Sequence, residues 1–404
     1  MKRTGAPGKK KGTPDSGAYT LTMFLAGLWL GRGQKLVIED QPLAEMKGPY
    51  VLLANHESFE DFWYVSRMAH PRRPAYLANR YYCTRPVLKT LFRRMGVLPK
   101  RLFTREWSTG IGILRTIRSG YPLVIFPEGR LSPDGRTNPI PESGASLYRS
   151  LKADLVLVRI DGAYFAHPKW RKRAYRRAEI RIAVSRVLRA EELQRMSETE
   201  IEQAIEETLF NDASADRNRV WPQKDKAEGL ENLLYRCTGC GALYQTKGTG
   251  NELICRSCGC RLRLDETYHF TEDPGSIPAY YDAIRRMEAE ELDRLSLRAE
   301  VRTRIFGPHG ERTRRETGVC TLTPECFTYA SDSETFTIPA EEIPALAFSC
   351  GKEFELYHGE DLYYFYPTEH PAQAARWALA ADLLAEKRRI NAKRKGNGAD
   401  DEKA

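Results

Sequence analysis

The chain has 404 residues, of which 41% are hydrophobic and 29% are charged, a composition typical of globular proteins with a sizeable core and room for two or three domains. Its 63 Lys and Arg residues against 54 Asp and Glu residues give a formal charge of +9, which suits nucleic acid, an anionic membrane or an acidic ligand. No basic recognition helix and no RNA-binding aromatic motif occurs, so we predict that nucleic acid is not a partner.

The chain begins with a basic tail, residues 1–17, that carries Lys9, Lys10 and Lys11. Its Lys, Gly and Pro content predicts disorder. No apolar region precedes a small-residue cleavage site in the way that a secretory signal requires. The tail is interpreted as a solvated terminus or as a weak contact with anionic lipid.

An apolar stretch, Ala18–Leu30, follows the tail. It is shorter than the ~20 residues that a membrane-spanning helix needs, and no other stretch reaches that length. A helix of this size can lie in the membrane interface with Phe24, Leu28 and Trp29 in the lipid boundary. Alternatively, it can cap a folded core and bury the same side chains.

The first motif with chemical content follows the apolar run Tyr50–Ala54, which predicts a short buried strand. The run ends in Asn55-His56, and Asp61 follows five residues after the histidine. On one regular helix these side chains would point about 140° apart. They can face each other if His56 lies in the loop and Asp61 opens a helix, predicted over Asp61–Ala69. The carboxylate could then hold one imidazole nitrogen while the other accepts a proton from a substrate hydroxyl.

By itself, a His-x4-Asp pair is more often solvated or helix-capping, so the motif needs support from elsewhere in the chain. The segments around it alternate between strands and helices, which indicates an α/β layer fold. The predicted strands are Gln34–Asp40, Tyr121–Phe126, Leu155–Gly162 and Ala178–Val184, and the predicted helices are Arg85–Met95, Ser108–Ser119 and Ser197–Phe210, the last with a capping box.

A second motif gives that support, because Tyr121–Phe126 ends directly in Pro127-Glu128-Gly129-Arg130. Open α/β sheets place their ligand crevice beyond the carboxyl ends of their strands, so this loop and the His56 loop are predicted neighbours. Asn-His-x4-Asp followed about 70 residues later by Phe-Pro-Glu-Gly-Arg resembles the glycerolipid acyltransferase family, whose best-known members are lysophosphatidate acyltransferases. The resemblance covers roughly residues 18–210.

The resemblance implies a reaction and a role for each motif residue. A fatty acyl group would move from acyl-CoA or acyl carrier protein to the hydroxyl of a lysophospholipid, with 1-acylglycerol-3-phosphate, which gives phosphatidate, as the first choice. His56 would be the general base, Asp61 would orient it, and Glu128, Gly129 and Arg130 would bind the acceptor's phosphate region. The planar guanidinium of Arg130 suits a phosphate. No catalytic cofactor is expected.

The chain departs from its relatives between and within the motifs. Relatives carry a glycine, an apolar run and a further phosphate-binding arginine between the motifs, and the segment Gly96–Arg105 offers Arg101 as our first choice and Arg105 as the second. The second motif has Glu-Gly-Arg in place of the commoner Glu-Gly-Thr-Arg, and Leu155–Gly162 lacks the proline that relatives tend to have. These differences leave the acceptor open and do not affect the prediction of acyl transfer.

Because the implied acceptor is a membrane lipid, we interpret Ala18–Leu30 as a partial membrane contact. The protein is then expected to be cytoplasmic and peripheral on the inner face of the cell membrane. The alternative is a membrane- or protein-binding adaptor built on a catalytically weak or inactive acyltransferase core. The intact residues of both motifs argue against the adaptor.

A change of composition follows residues 211–235, which are predicted to be a polar linker. Two Cys-x2-Cys knuckles, Cys237/Cys240 and Cys255/Cys258, lie fourteen residues apart, a spacing that predicts a structural zinc site. The four-thiolate set resembles a zinc ribbon, which would span residues 236–270. Four thiolates complete a tetrahedron, so the single zinc would be structural and Cys260 would be surplus. Disulfides would need an oxidising compartment, which the CoA-type donor and the missing signal peptide disfavour.

The last part of the chain, residues 278–390, is predicted to be mostly β. A helix at Pro278–Ser296 leads into short strands rich in aromatic and β-branched residues, and a helix at His370–Lys387 closes the domain. The strands are Ala299–Ile305, Thr317–Leu322, Cys326–Tyr329, Glu334–Ile338, Ala345–Ser349, Glu353–Tyr357 and Leu362–Tyr366.

Such a series of strands with one closing helix resembles a pleckstrin-homology or GRAM-type barrel, which would dock on the membrane or on a protein partner. The alternative is a small α+β module that packs on the ribbon without a ligand of its own. Residues 391–404 are predicted to be a disordered charged tail.

Overall fold

The computed structural model describes residues 13–30, 33–39, 43, 45–84, 86–103, 106–141, 144–172, 177–308, 310–343 and 345–401. Most of the predicted basic tail, residues 1–12, therefore lies outside the described residues. The chain divides into two compact units, one made of Met1–Pro168 with Ala174–Ala213 and the other of Lys169–Arg173 with Ser214–Ala404. The predicted ribbon and β-rich segments thus fall in one unit, together with the predicted linker from Ser214 onward.

The first unit alternates between strands and helices, as the sequence indicates. Its elements are α1 Ser16–Trp29, β1 Lys35–Ile38, β2 Tyr50–Ala54, α2 Asp61–Met68, β3 Ala75–Asn79, α3 Arg80–Thr84, α4 Pro86–Arg94, β4 Leu98–Lys100, α5 Trp107–Arg118, β5 Leu123–Ile125, α6 Ala145–Ser150, β6 Asp154–Asp161, α7 Ala163–Ala166, β7 Glu179–Leu188, α8 Ala190–Arg195 and α9 Glu198–Leu209. The elements absent from the prediction, such as β3 and β4, are too short to show a periodic pattern.

The strands of this unit form one seven-stranded sheet in the order β1-β7-β6-β2-β5-β3-β4. β6, β2, β5, β3 and β4 are parallel, and β7 runs antiparallel to β6. All five residues of β2 are buried, which explains its uninterrupted apolar sequence, because both faces of a parallel strand are covered. The carboxyl ends of the five parallel strands therefore meet at one edge of the sheet.

The core lies between this sheet and two helices. Ile113 and Ile117 of α5 and Ile201 and Ile205 of α9 are buried in the same cluster as the leucines of the central strands. The predicted capping box of α9 is present, since the Ser197 hydroxyl accepts a bond from the amide of Glu200 and the Glu200 carboxylate accepts one from the amide of Ser197. The helix is thereby fixed at its start and held by its apolar face.

The second unit contains a small three-stranded antiparallel sheet, in which β9 Glu252–Cys255 lies between β8 Thr246–Thr249 and β10 Arg261–Arg263. The segment before it is not the polar linker that the sequence suggested. Leu230, Leu233 and Leu234 are fully buried. The prediction failed because the polar residues 211–229 set the average composition, while the apolar residues that follow them belong to the core.

The remainder of the second unit confirms the mostly β prediction. It contains α10 Ile277–Glu290, the strands β11 Leu297–Phe306, β12 Arg312–Leu322, β13 Cys326–Ser331, β14 Thr335–Pro339, β15 Ala347–Ser349, β16 Glu353–His358 and β17 Asp361–Pro367, and the closing helix α11 Gln373–Asp401. The strands form an antiparallel sheet in the order β14-β13-β12-β11-β17-β16-β15, and burial alternates along β11 from residue to residue, as a sheet with one covered face requires.

The closing helix packs on this sheet through Trp377, which is 1% exposed. Its ring stacks on that of Phe354, with centroids 4.9 Å apart, and meets Phe327 edge-on. The helix continues to Asp401, so the predicted disordered tail is helical as far as this residue. Ala392, Lys393 and Arg394 are strong helix formers, and the sequence prediction gave too little weight to their propensity.

Candidate active site and thiol cluster

The two residues of the first motif lie side by side at the carboxyl end of β2. His56 is in the loop after the strand, Asp61 is the first residue of α2, and 2.9 Å separates His56 Nδ1 from Asp61 Oδ2. The Asp61 side chain is fully buried, whereas that of His56 is 22% exposed. When Nδ1–H donates to the carboxylate, Nε2 is left as the basic nitrogen, as a general base requires.

The intervening turn fixes the carboxylate of Asp61. The amides of Glu57 and Ser58 donate to Oδ2 at 2.7 and 3.0 Å, and the hydroxyl of Ser58 donates to Oδ1 at 2.9 Å. With the imidazole, four donors surround this carboxylate. The orientation of the carboxylate is therefore fixed, and it can stabilise the imidazolium that forms when His56 accepts a proton.

The loop after β2 is also fixed to the neighbouring strand β6. The Asn55 side chain, 1% exposed, accepts a bond from the amide of Ile160 at 2.7 Å and donates to its carbonyl at 2.8 Å. The ring of Phe126, at the end of β5, stacks on the His56 ring with centroids 4.3 Å apart. The imidazole is therefore held through both its edge and its face.

Glu128 of the second motif joins the two loops that the sequence predicts to be neighbours. It is 2% exposed, and its carboxylate accepts bonds from the amide of His56 at 2.6 Å and from the amide and side chain of Asn138 at 2.6 and 2.7 Å. Burial raises the pKa of Glu128 to about 7, although the bonds from Asn138 and His56 oppose this rise. Both oxygens of Glu128 are thus used inside the protein.

Gly129 and Arg130 continue this loop toward the surface. Gly129 has a φ of +71°, a conformation that strongly favours glycine. Arg130 is partly buried, and its Nε lies 3.3 Å from Asn138 Oδ1. The guanidinium is therefore oriented by the same asparagine that binds Glu128.

Arg101 lies just beyond β4, at the same edge of the sheet. The carboxylate of Glu106 accepts a bond from the amide of Arg101 at 2.8 Å and lies 3.2 Å from its Nε. Glu106 also forms an ion pair with Arg80, which directly follows β3. Arg105, our second choice at sequence level, lies outside the described residues. Arg80 was not selected from the sequence because β3 was not predicted. His56 and Glu128 were selected because each follows the end of a strand, and the same criterion would have selected Arg80.

The structure also reveals two buried acids in the loop between β2 and α2 that the sequence gave no reason to select. Glu57 is bound by Tyr164 and Asn211. Glu60 lies 2.9 Å from Nδ1 of His167. Burial alone would raise the pKa of Glu60, but the hydrogen bond and the charge of His167 outweigh it and lower that pKa.

In the second unit, Cys237, Cys240, Cys255 and Cys258 bring their sulfur atoms within 4.8 Å of one another. The distances from Cys237 to Cys258 and from Cys240 to Cys255 are both 3.8 Å. A tetrahedral ion with metal–sulfur bonds of about 2.3 Å requires a sulfur–sulfur spacing of about 3.8 Å. The cluster found among the described residues does not include Cys260, so four thiols fit one metal ion.

The two knuckles of this cluster share one backbone turn. The amide of Gly241 donates to the carbonyl of Cys237 at 2.8 Å, and the amide of Gly259 donates to that of Cys255 at 2.9 Å. Both glycines have a positive φ, +73° and +76°, which strongly favours glycine. The same two cysteines donate from their amides to the carbonyls of Ala242 and Cys260.

Within the described residues, no helix combines the length and the apolar character that crossing a bilayer demands.

Comparison with known proteins gives a match within the first unit. Residues 35–160 match the family model described as Acyltransferase, which covers less than a third of the chain and includes both motifs. None of the curated proteins matches the chain. Among solved structures, the chain is similar to the 1-acyl-sn-glycerophosphate (LPA) acyltransferase PlsC from Thermotoga maritima, with 18% identity and a TM-score of 0.37 over 46% of this chain and 73% of that one.

Proposed function

We propose that the acyltransferase-family domain over residues 35–160 transfers a fatty acyl group from a thioester to the hydroxyl of a lysophospholipid. The observation that carries this proposal is the pairing of His56 with a buried Asp61 at the carboxyl end of β2. The same pairing supports this proposal over an inactive adaptor, because a residue able to act as base has a carboxylate able to orient it.

In the proposed mechanism, Nε2 of His56 removes the proton from the acceptor hydroxyl as its oxygen attacks the thioester carbonyl carbon. Asp61 stabilises the resulting imidazolium. The tetrahedral intermediate then collapses, the carbon–sulfur bond breaks, and the thiolate takes the proton from His56. The ester and the free thiol leave, and the enzyme returns to its starting state. Glu128 acts in this scheme by positioning the backbone of His56.

We assign the acceptor's phosphate to the arginines that follow the parallel strands, namely Arg130, Arg101 and Arg80. Phosphate suits a site of this kind because a guanidinium can donate two parallel bonds to it. Glu106 positions Arg101 and Arg80, and Asn138 positions Arg130.

Arg130→Ala is expected to raise the apparent KM for a phosphate-bearing acceptor about 10- to 100-fold, because it removes a charge-assisted contact of ~1.5–3 kcal/mol. The KM for the acyl donor should change much less. Kinetics with 1-acylglycerol-3-phosphate and with a monoacylglycerol lacking phosphate would check this. Arg130→Lys is the matched variant, since it keeps the charge and loses the planar fork. Equal losses on both acceptors would give Arg130 a structural role.

The acceptor that we favour is 1-acylglycerol-3-phosphate, with phosphatidate as the product, and the donor is acyl-CoA or acyl carrier protein. Purified protein should be incubated with both donors and a panel of lysophospholipids, and the products should be identified by mass spectrometry. Equal transfer to lysophospholipids with and without a phosphomonoester headgroup would contradict the favoured acceptor.

We further propose that α1 contacts the membrane from the cytoplasmic side. Leu21, Phe24, Leu25 and Leu28 are 53–62% exposed and are spaced to form one stripe along the helix. On another side of the helix, the hydroxyl of Tyr19 donates to Ser66 Oγ at 2.9 Å. The helix is thus fixed to its own unit and still presents apolar side chains to the surroundings. The side chain of Trp29, the third predicted lipid contact, is outside the described part of the structure.

A double variant, Phe24→Ser with Leu28→Ser, is expected to weaken binding to vesicles of anionic phospholipid by at least about tenfold, because burial of each such side chain contributes ~1.5–3 kcal/mol. Co-sedimentation would measure it. Ile111→Ser, at an exposed position of α5 in the same unit, is the matched control. Unchanged binding of the double variant would assign α1 to a purely structural role.

For the second unit, we propose a zinc ribbon, with zinc held by Cys237, Cys240, Cys255 and Cys258, and a pleckstrin-homology- or GRAM-like sheet that docks on the membrane or on a protein partner. The sulfur spacing and the all-thiolate donor set support zinc. Seven consecutive antiparallel strands closed by one helix support the second assignment. Four thiolates leave no open position on the metal, so the ion would have no part in catalysis.

A further inference from the structure

We propose that Glu57 is a positioning residue, whose buried carboxyl group holds the catalytic loop in the geometry that pairs His56 with Asp61. The inference rests on the proposed acyltransferase function and assigns a role to a side chain that neither motif requires. Glu57 stands directly after the histidine in the chain, and it is 3% exposed.

The hydrogen bonds of this carboxyl group join segments that lie far apart in the sequence. Oε2 accepts a bond from the amide of Tyr164, in α7, at 2.9 Å. Oε1 accepts one from the side chain of Asn211, just after α9, at 2.5 Å, and a longer one from Asn55 at 3.4 Å. One side chain thus fixes the loop after β2 to the segments that follow β6 and α9.

Electrostatics decides the form in which Glu57 performs this role. Burial raises its pKa well above the ordinary value, and the neighbouring carboxylates of Asp161 and Asp61 raise it further; the bonds from Tyr164 and Asn211 oppose the rise without cancelling it. The charged and titratable groups that face this carboxyl group are Asp161 at the end of β6, Asp61 of α2 and His56 of its own loop. The raised pKa favours the neutral form of Glu57 to a higher pH than in an ordinary glutamate.

The neutral form has a consequence for the loop. If Glu57 ionised, a further negative charge would face the carboxylates of Asp161 and Asp61. Their repulsion would disturb the loop that pairs His56 with Asp61. Because the folded-state pKa of Glu57 is raised, its contribution to stability is present at low pH and is lost as the pH rises through that value.

The test compares Glu57→Gln with Glu57→Ala in the full chain, using the acyl donor and 1-acylglycerol-3-phosphate. Glutamine keeps the size, the absence of charge and one acceptor oxygen for the amide of Tyr164. Its NH2 group can donate to Asn211 once that side-chain amide turns its oxygen toward it, so kcat near neutral pH should stay within about threefold of the wild type. Alanine removes the bonds to Tyr164 and Asn211, each contributing ~0.5–1.5 kcal/mol, so kcat should fall about tenfold or more while KM changes little.

The pH dependence separates positioning from general stability. In the wild type, kcat and the melting temperature should both decline on the alkaline side as Glu57 ionises, and Glu57→Gln should shift these declines to higher pH or remove them. Glu206→Gln, at an exposed position of α9, is the matched control and should leave both profiles unchanged.

Two results would overturn the proposal. If Glu57→Gln lost as much activity as Glu57→Ala, a charged carboxylate would be required. If the alkaline declines of Glu57→Gln equalled those of the wild type, Glu57 would not titrate in this way. The melting profile needs no substrate, so it tests Glu57 even if the wild type fails to transfer acyl groups, a failure that would refute the proposed function alone.

Discussion

Replacing His56 with alanine is expected to remove acyl transfer, with a fall in kcat of at least about 10²–10⁴-fold, the usual contribution of a general base. The loss should be near the upper limit, because direct attack by the acceptor hydroxyl leaves no enzyme nucleophile to replace the missing base. Binding of both substrates should change little, since the imidazole acts on a proton that is transferred in the transition state. Steady-state kinetics with saturating donor would measure the loss.

The fold should survive this change, because the side chain of His56 makes one hydrogen bond, to Asp61, and one ring contact, to Phe126. Its backbone bonds to Glu128 and Ser132 do not depend on the side chain. Thermal melting would confirm that the variant is folded. His358→Ala, at a histidine on β16 of the second unit, is the control and should keep its turnover. Near-normal turnover of His56→Ala would refute the mechanism.

The second large effect is expected at the thiol cluster. Purified protein should contain one zinc per chain, and Cys237→Ser or Cys255→Ser should reduce the zinc content to near zero, because three thiolates bind the ion far more weakly than four. Metal binding and folding are coupled in modules of this size, so the ribbon should unfold locally. Elemental analysis and hydrogen exchange over residues 236–264 would measure both changes.

The acyltransferase domain should remain folded in these variants, because it belongs to the other compact unit and has its own core. Membrane or partner association should be lost before the chemistry of transfer. Cys260→Ser is the matched control and should keep its zinc. Zinc-free protein of full stability would disprove the ribbon, and loss of turnover in a folded, zinc-free protein would show that the second unit contributes to catalysis.

The parts of this molecule that could be predicted from the sequence are those specified by local patterns. The apolar run Tyr50–Ala54 predicted a buried strand, and the end of that run placed His56 in the loop that follows the strand. The knuckle spacing located the four clustered thiols. Short runs rich in aromatic and β-branched residues located every strand of the large antiparallel sheet.

What escaped prediction depends on contacts across long stretches of chain. Glu57 meets Asn211 and Glu60 meets His167 over separations of 154 and 107 residues. Nothing in the local sequence marks such pairs, since a glutamate that is buried cannot be distinguished there from one that is exposed to solvent. They come together because β2 and β6 are neighbours in the sheet, a fact that becomes visible only with the topology.

The repeated turn of the two knuckles accounts for the fifth cysteine. If the knuckles are superimposed in sequence, Cys237 corresponds to Cys255, Gly241 to Gly259, and Ala242 to Cys260, and the last two accept equivalent backbone bonds. The first knuckle therefore has the methyl group of Ala242 at the position where the second has the thiol of Cys260. A position whose internal counterpart is alanine is free to vary, so orthologous ribbons should show small residues there as often as cysteine.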